Sequence, residues 1–180
     1  MSGHEAQKRL AFAAEYGDVP HVLRLLSEGV DAKADDSWAL RLAASNGHTE
    51  CVRLLIRVSD PKAQNSAALV LAADRGGTEC VEMLIQVSDP KTYNSQALQR
   101  AAKNEHLDVV DLLFEVSDPR KALQQIVEDF NKFNMQWQDH PGVVYLQQKI
   151  TAQNDNAVLH QHVDFDGRNT TSQHVPRKKL

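Results

Sequence analysis

Apolar residues in the middle of the chain fall into the same two clusters three times over. Leu40, Ala43 and Ala44 precede Cys51, Val52, Leu55 and Ile56; Leu69, Ala72 and Ala73 precede Cys80, Val81, Leu84 and Ile85; Leu98, Ala101 and Ala102 precede Val109, Val110, Leu113 and Phe114. Spacings of three and four residues within each cluster put its members on one stripe of a helix. Arg53, Glu82, Asp111 and Arg57, Gln86, Glu115 fall on the opposite side of the second helices and read as solvated surface. Gly47, and later Gly76 with Gly77, interrupt the periodicity, so each copy predicts a helix, a turn and a second helix. Asn65 or Ser66 is available to cap the first helix of the second copy. Glu50, Glu79 and Asp108 open the second helices, where a carboxylate suits the positive end of the helix dipole.

The copies hold a constant phase. Ser37, Ser66 and Ser95 each head one, and they stand 29 residues apart. A fixed period of this length predicts stacked units that bury a continuous spine, not one collapsed core. Paired alanines let the first helices approach closely, and a larger side chain there should wedge the stack open. Upstream, Ala13, Ala14 and Gly17 precede Ala43, Ala44 and Gly47 by 30 residues, and Val22, Leu25 and Leu26 supply a second apolar stripe. This degenerate unit brings the expected number of helix pairs to four. After Asp118-Pro119, residues Leu123, Ile126, Val127, Phe130 and Phe133 share one helical face, which predicts a longer helix capping the end of the stack. The connectors "VSDPKAQN" and "VSDPKTYN" carry Asp60-Pro61 and Asp89-Pro90 and read as tight turns.

The pattern divides the chain into a repeat domain with its capping helix over 1–133 and a C-terminal extension over 134–180. In the extension, Val143, Val144, Leu146 and Ile150 after Pro141 fit one further short helix. Beyond Thr151 the residues are mostly polar and offer little burial to offset ordering entropy, which predicts a disordered tail. A hydrophobic content of 42% suits a soluble fold, and a formal charge of -4 demands neither nucleic acid nor membrane as a partner. No apolar run approaches bilayer length, and the charges in "MSGHEAQKRLAFAAEYG" stand where a secretory signal needs apolar residues, so a cytoplasmic working compartment is expected. Cys51 and Cys80 occupy equivalent places in neighbouring units, about 10 Å apart by ordinary helix packing, which is too far for a disulfide. Both are expected to be small buried hydrophobes.

The blocks "LRLAASNGHTECVRLLI" and "LVLAADRGGTECVEMLI" resemble the ankyrin repeat, whose pattern runs Leu, paired Ala, Gly-His, Glu, an aliphatic pair and Leu-Leu. The resemblance covers residues 10 to about 116. It implies an all-α fold, an ankyrin-like α-solenoid of helix-turn-helix repeats. Of the family's Thr-Pro-Leu-His only the leucine survives, in Trp38-Ala39-Leu40-Arg41, Ala67-Ala68-Leu69-Val70 and Gln96-Ala97-Leu98-Gln99. The stride is also shorter than the family's about 33 residues, and the missing residues fall in the connector. The β-hairpin fingers should therefore be stunted or absent, with only "SEGVDAKADDS" close to a finger sequence. His48 and His106 hold the family's Gly-His position, where the implied role is turn bonding.

The resemblance implies protein recognition as the function. With fingers reduced, contacts should move to the first helices and the inter-helix turns. Residues that vary there while the frame persists are Trp38, Arg41, Asn46, Arg75, Gln99, Arg100 and Asn104, with Tyr93 on a connector. Exposed aromatics and arginines are the types that most often anchor interfaces. The expected partner is another protein of unspecified identity, the expected state a monomer, and no cofactor is implied. Shortened arrays of this kind resemble those of microbial and viral proteins, some delivered into host cells, so a host-directed effector is one version of the reading.

Chemistry is sparse. No phosphate-cradling loop, serine elbow or isolated carboxylate pair is present, which argues against an enzyme. In "HQHVDFDG", alternation along a strand would bring His160, His162, Asp164 and Asp166 to one side as ligands for a divalent ion. The competing expectation is a polar strand or disordered stretch. A structural spacer without a dedicated partner site remains the alternative to a binding module.

Overall fold

The computed structural model describes the backbone of residues 3–166 and the side chains of residues 3–155. Ten helices and no strand occur among the described residues. They are α1 (Gly3–Glu15), α2 (Val19–Ser27), α3 (Ala34–Ser45), α4 (Thr49–Leu55), α5 (Ala63–Asp74), α6 (Thr78–Ile85), α7 (Thr92–Lys103), α8 (Leu107–Phe114), α9 (Pro119–Lys132) and α10 (Pro141–Asp166). The chain divides into two compact units, Met1–Gln147 and Gln148–Leu180.

In the first unit the repeats stack as the periodicity requires. The first helices α1, α3, α5, α7 and α9 pack in sequence order, and α2, α4, α6 and α8 form a parallel row. Leu40, Leu69 and Leu98, the paired alanines and both cysteines are at most 1% exposed, so the spine is continuous. Burial of each such leucine contributes roughly 1.5–3 kcal/mol.

Two helices follow the four pairs. Helix α9 covers α7 with Ala122, Ile126 and Phe130, starting from Asp118, whose carboxylate accepts from the Lys121 amide, with Pro119 in the first turn. The start of α10 then extends the second-helix row. Val143 and Leu146 are buried, Tyr145 donates to Asp111 on α8 over 2.8 Å, and a Cβ on Gly142 would collide with the Ala102 carbonyl oxygen. Helix α9 thus caps the fourth pair as expected, the start of α10 packs beside α8, and the first compact unit reaches Gln147. Phe133, read from sequence as part of the capping face, is instead 70% exposed at the end of α9. In the second unit the chain continues as helix to Asp166, where a disordered tail was expected.

The fingers are absent. Each repeat connector enters its first helix through three consecutive residues in left-handed conformation: Asp35-Asp36-Ser37, Gln64-Asn65-Ser66 and Tyr93-Asn94-Ser95, with φ between 46° and 64°. Even "SEGVDAKADDS" forms turns, not a hairpin. Such backbone costs about 1–2 kcal/mol per residue for most side chains, so the surroundings must hold it. They do so in two ways. The buried Ser37, Ser66 and Ser95 hydroxyls accept from the amides of Asp60, Asp89 and Asp118 of the next connector, at 2.7, 2.8 and 2.7 Å. Ser59, Ser88 and Ser117 donate back to the carbonyls of Ala32, Pro61 and Pro90. Ser66 therefore does not cap α5, as its position in the sequence predicted. It fastens one unit to the next.

Candidate interaction surface

The sides of each unit are unequal in their chemistry. On the connector side, exposed polar side chains link each left-handed turn to the next unit: Gln64 donates to Asp36 over 2.8 Å and Asn65 to the Tyr93 hydroxyl over 3.0 Å, while Asn94 donates to Gln125 on α9 over 3.2 Å. Arg41 donates to the Asp35 carbonyl and to Gln64, both at 3.0 Å. Gln99, in the same register position, donates to the carbonyls of Tyr93 and Asn94 at 3.0 and 2.9 Å. Both residues occupy a place from which a donor reaches the left-handed turn, and the role they play there is structural. Gln99 is 6% exposed, so its amide is not presented outward as the sequence reading expected.

On the turn side the key elements are a glycine and a histidine from successive units. His48 stands 2.8 Å from the Glu15 carbonyl through Nε2, and His106 stands 3.1 Å from the Asp74 carbonyl in the same way. A carbonyl only accepts, so each ring must carry its proton on Nε2. The rings lie over Gly17 and Gly76, which hold φ of 70° and 72°. The turn bonding implied for these histidines from the sequence pattern is what they do.

Asp74 gathers several candidates. Asn104 donates to its carbonyl and its carboxylate at 2.9 and 3.1 Å, and Arg100 lies 3.5 Å from the same carboxylate. Arg100 remains about half exposed. Asn46 donates to its own helix at Leu42 and is exposed, whereas Arg75 is exposed at the end of α5. Tyr93 is 65% exposed and Trp38 36%, the latter beside Gln7, Leu10 and Ala11 of the first unit. Of the eight candidates, Asn46, Arg75, Arg100 and Asn104 share the first-helix and turn surface. Trp38 and Tyr93 lie toward the connector side.

Sequence reasoning missed two residues. Phe12 and Tyr16 of α1 are 62% and 65% exposed, with ring centroids 4.5 Å apart. In repeat register Phe12 matches Leu42, Leu71 and Arg100, and Tyr16 matches Asn46, Arg75 and Asn104. The two variable columns thus run from an aromatic pair at one end to polar and guanidinium groups at the other. The signal was present, but the first unit is one residue out of stride.

A recess of about 270 Å³ opens between Gly76, Thr78 and Glu105 through Val109, at the turn side of the third and fourth units. The thiols of Cys51 and Cys80 are held above their ordinary pKa chiefly by burial, which keeps them protonated. Among the described residues no group of three metal-ligating side chains converges. The side chains of His160, His162, Asp164 and Asp166 lie outside the described residues; the backbone there is helical, not the extended strand that the alternation suggested. Among the described residues no helix is long and apolar enough to cross a membrane.

A family model of ankyrin repeats, in 3 copies, matches residues 10–91 and again residues 40–125. No curated protein matches the chain.

Proposed function

Because the chain belongs to the ankyrin-repeat family, whose members generally act by binding other proteins, we propose that it is a non-catalytic recognition module for a protein partner. The observation that carries this reading is the exposed Phe12–Tyr16 pair in register with Arg75, Arg100 and Asn104 on one side of the first helices. Aromatic rings and guanidinium groups supply most of the energy in protein interfaces. A surface held by an interlocked stack loses little conformational entropy when it docks. Trp38, Asn46 and Tyr93 extend the proposed contact area, while Arg41 and Gln99 support it by donating to the left-handed turns. The module works as a monomer in the cytoplasm of the producing cell, or of a host cell if it is delivered as an effector.

The test is affinity capture with the intact protein beside two variants, Phe12→Ala/Tyr16→Ala and Trp38→Ala/Arg75→Ala, each shown by circular dichroism to keep its helices. Loss of the same captured protein in both variants supports the reading. Undiminished capture by both variants, or no capture by the intact chain, favours a structural spacer.

A further inference from the structure

Among the four helix pairs, the turn-side histidine is missing at one junction. The second unit offers a complete receiving site: Gly47 has φ of 71°, like Gly17 and Gly76. The third unit, however, carries Gly77 where its neighbours carry His48 and His106. Nothing lies within 4 Å of a Cβ built on Gly47, whereas at Gly17 and Gly76 the histidine ring stands 2.7 Å away. No side chain among the described residues donates to the Ser45 carbonyl, the equivalent of the Glu15 and Asp74 carbonyls. The side-chain contacts left on this side of the junction both come from the Thr49 hydroxyl, which donates to the exposed Glu79 carboxylate at 3.0 Å and lies 3.9 Å from the Cys80 sulfur.

The opposite side of the same junction is well tied. The Ser37 hydroxyl holds the Asp60 amide at 2.7 Å, Arg41 reaches Gln64 at 3.0 Å, and Gln64 reaches Asp36 at 2.8 Å. A contact fastened along one edge and loose along the other opens about the fastened edge. We propose that the junction between the second and third units is a hinge, which pivots on the connector side and opens on the turn side. It divides the binding surface into one part bearing Phe12, Tyr16 and Asn46 and another bearing Arg75, Arg100 and Asn104. The hinge follows from the stack alone and stands whether or not a protein partner is found.

The two cysteines report on it. Cys80 faces the second unit across this junction, with its sulfur 3.9 Å from the Thr49 hydroxyl. Cys51 holds the same register position at the junction closed by His48, and both thiols are buried in the closed stack. Under native conditions with excess alkylating reagent, Cys80 should be trapped about five- to tenfold faster than Cys51, the factor one net hydrogen bond supplies to a local opening equilibrium. Gly77 holds φ of -74° and ψ of 74°, close to the -81° and 78° of His48, so Gly77→His is accommodated by the backbone. That variant should slow Cys80 to the rate of Cys51 and leave Cys51 unchanged. His48→Gly should do the converse, accelerating Cys51 alone, and it decides the matter even if Gly77→His folds poorly. Equal trapping of the two thiols in the unaltered chain overturns the hinge, as does a His48→Gly variant in which Cys51 is no faster.

Discussion

A Cβ added to Gly17 would stand 2.7 Å from Nδ1 of His48 in the next unit, and the same distance separates such an atom on Gly76 from His106. The glycine is needed twice, once for its left-handed backbone and once for the ring above it. Gly47 has the backbone requirement without the ring. Gly76→Ala should therefore destabilise by about 2–3 kcal/mol and Gly47→Ala by only about 1 kcal/mol. Urea unfolding midpoints of the two variants measure the difference, and equal losses would show that the ring contributes nothing.

The fourth turn tests the same logic without mutation. Glu105 takes the glycine position with φ of 61°, and its Cβ is present. His140, which follows in the chain as His106 follows Gly76, lies 4.0 Å from the Glu105 carboxylate and packs edge-on against Phe130 at 5.5 Å. Removing the Cβ with Glu105→Gly should lower the cost of the left-handed turn and raise stability by about 1 kcal/mol. A drop in the unfolding midpoint would mean that the contact with His140 outweighs the strain.

Ser66 predicts a larger effect than a serine usually has. The residue is 1% exposed, and its hydroxyl accepts from the Asp89 amide of the next connector. Ser66→Ala leaves that amide without its partner and should cost about 1–3 kcal/mol. Ser66→Thr keeps the acceptor but adds a branched carbon at a left-handed residue, so it should not rescue. Thermal unfolding of both variants is the measurement, and near-native stability of the alanine variant would count against the fastening role.

Tyr93 is a bulky residue at φ of 46°. Asparagine tolerates this conformation better than any residue but glycine. Tyr93→Asn should raise stability by about 0.5–1 kcal/mol, since the Asn65 bond it sacrifices is exposed. Thermal unfolding checks the sign, and a lower midpoint would show that the ring repays its strain. If Tyr93 is also a contact residue, the same change weakens partner capture, so stability and binding would move in opposite directions.

Acid should act late. The Asp129 carboxyl is held below its ordinary value of 3.8 first by the hydrogen bond from Lys103, and Asp118 first by its bond to the Lys121 amide. A carboxyl that gives up its charge less readily when folded stabilises fully above its unfolded value, and loses that contribution as pH falls through its folded one. Urea midpoints should accordingly be flat for these two groups above about pH 4 and fall below it, and Asp129→Asn should shallow the fall. An unchanged acid limb in that variant would remove Asp129 from the account.

The stack itself was legible because burial repeats with the sequence. Leu40, Leu69 and Leu98, the alanine pairs and the two cysteines take in the structure the places their spacing assigns. The left-handed turns were not, because Gln64 and Tyr93 carry no local preference for them. What holds each turn is a serine hydroxyl bonded to an amide 23 residues away, joined in the first and third turns by a donor from Arg41 or Gln99. For the same reason Gln99 looked like a contact residue. A polar side chain that varies between repeats signals exposure only if no neighbouring carbonyl needs it. Phe12 and Tyr16 failed for the opposite cause: their surface position is plain once aligned, but α1 belongs to the unit with the altered stride.

The constant stride makes the units interchangeable parts. Excising residues 66–94 would join Asn65 to Ser95 and remove one whole stride. His106 would then arrive above Gly47, whose surroundings have room for an imidazole. The shortened protein would not merely survive the loss but close its weakest seam, so the array's extra reach and its looseness come with the same copy.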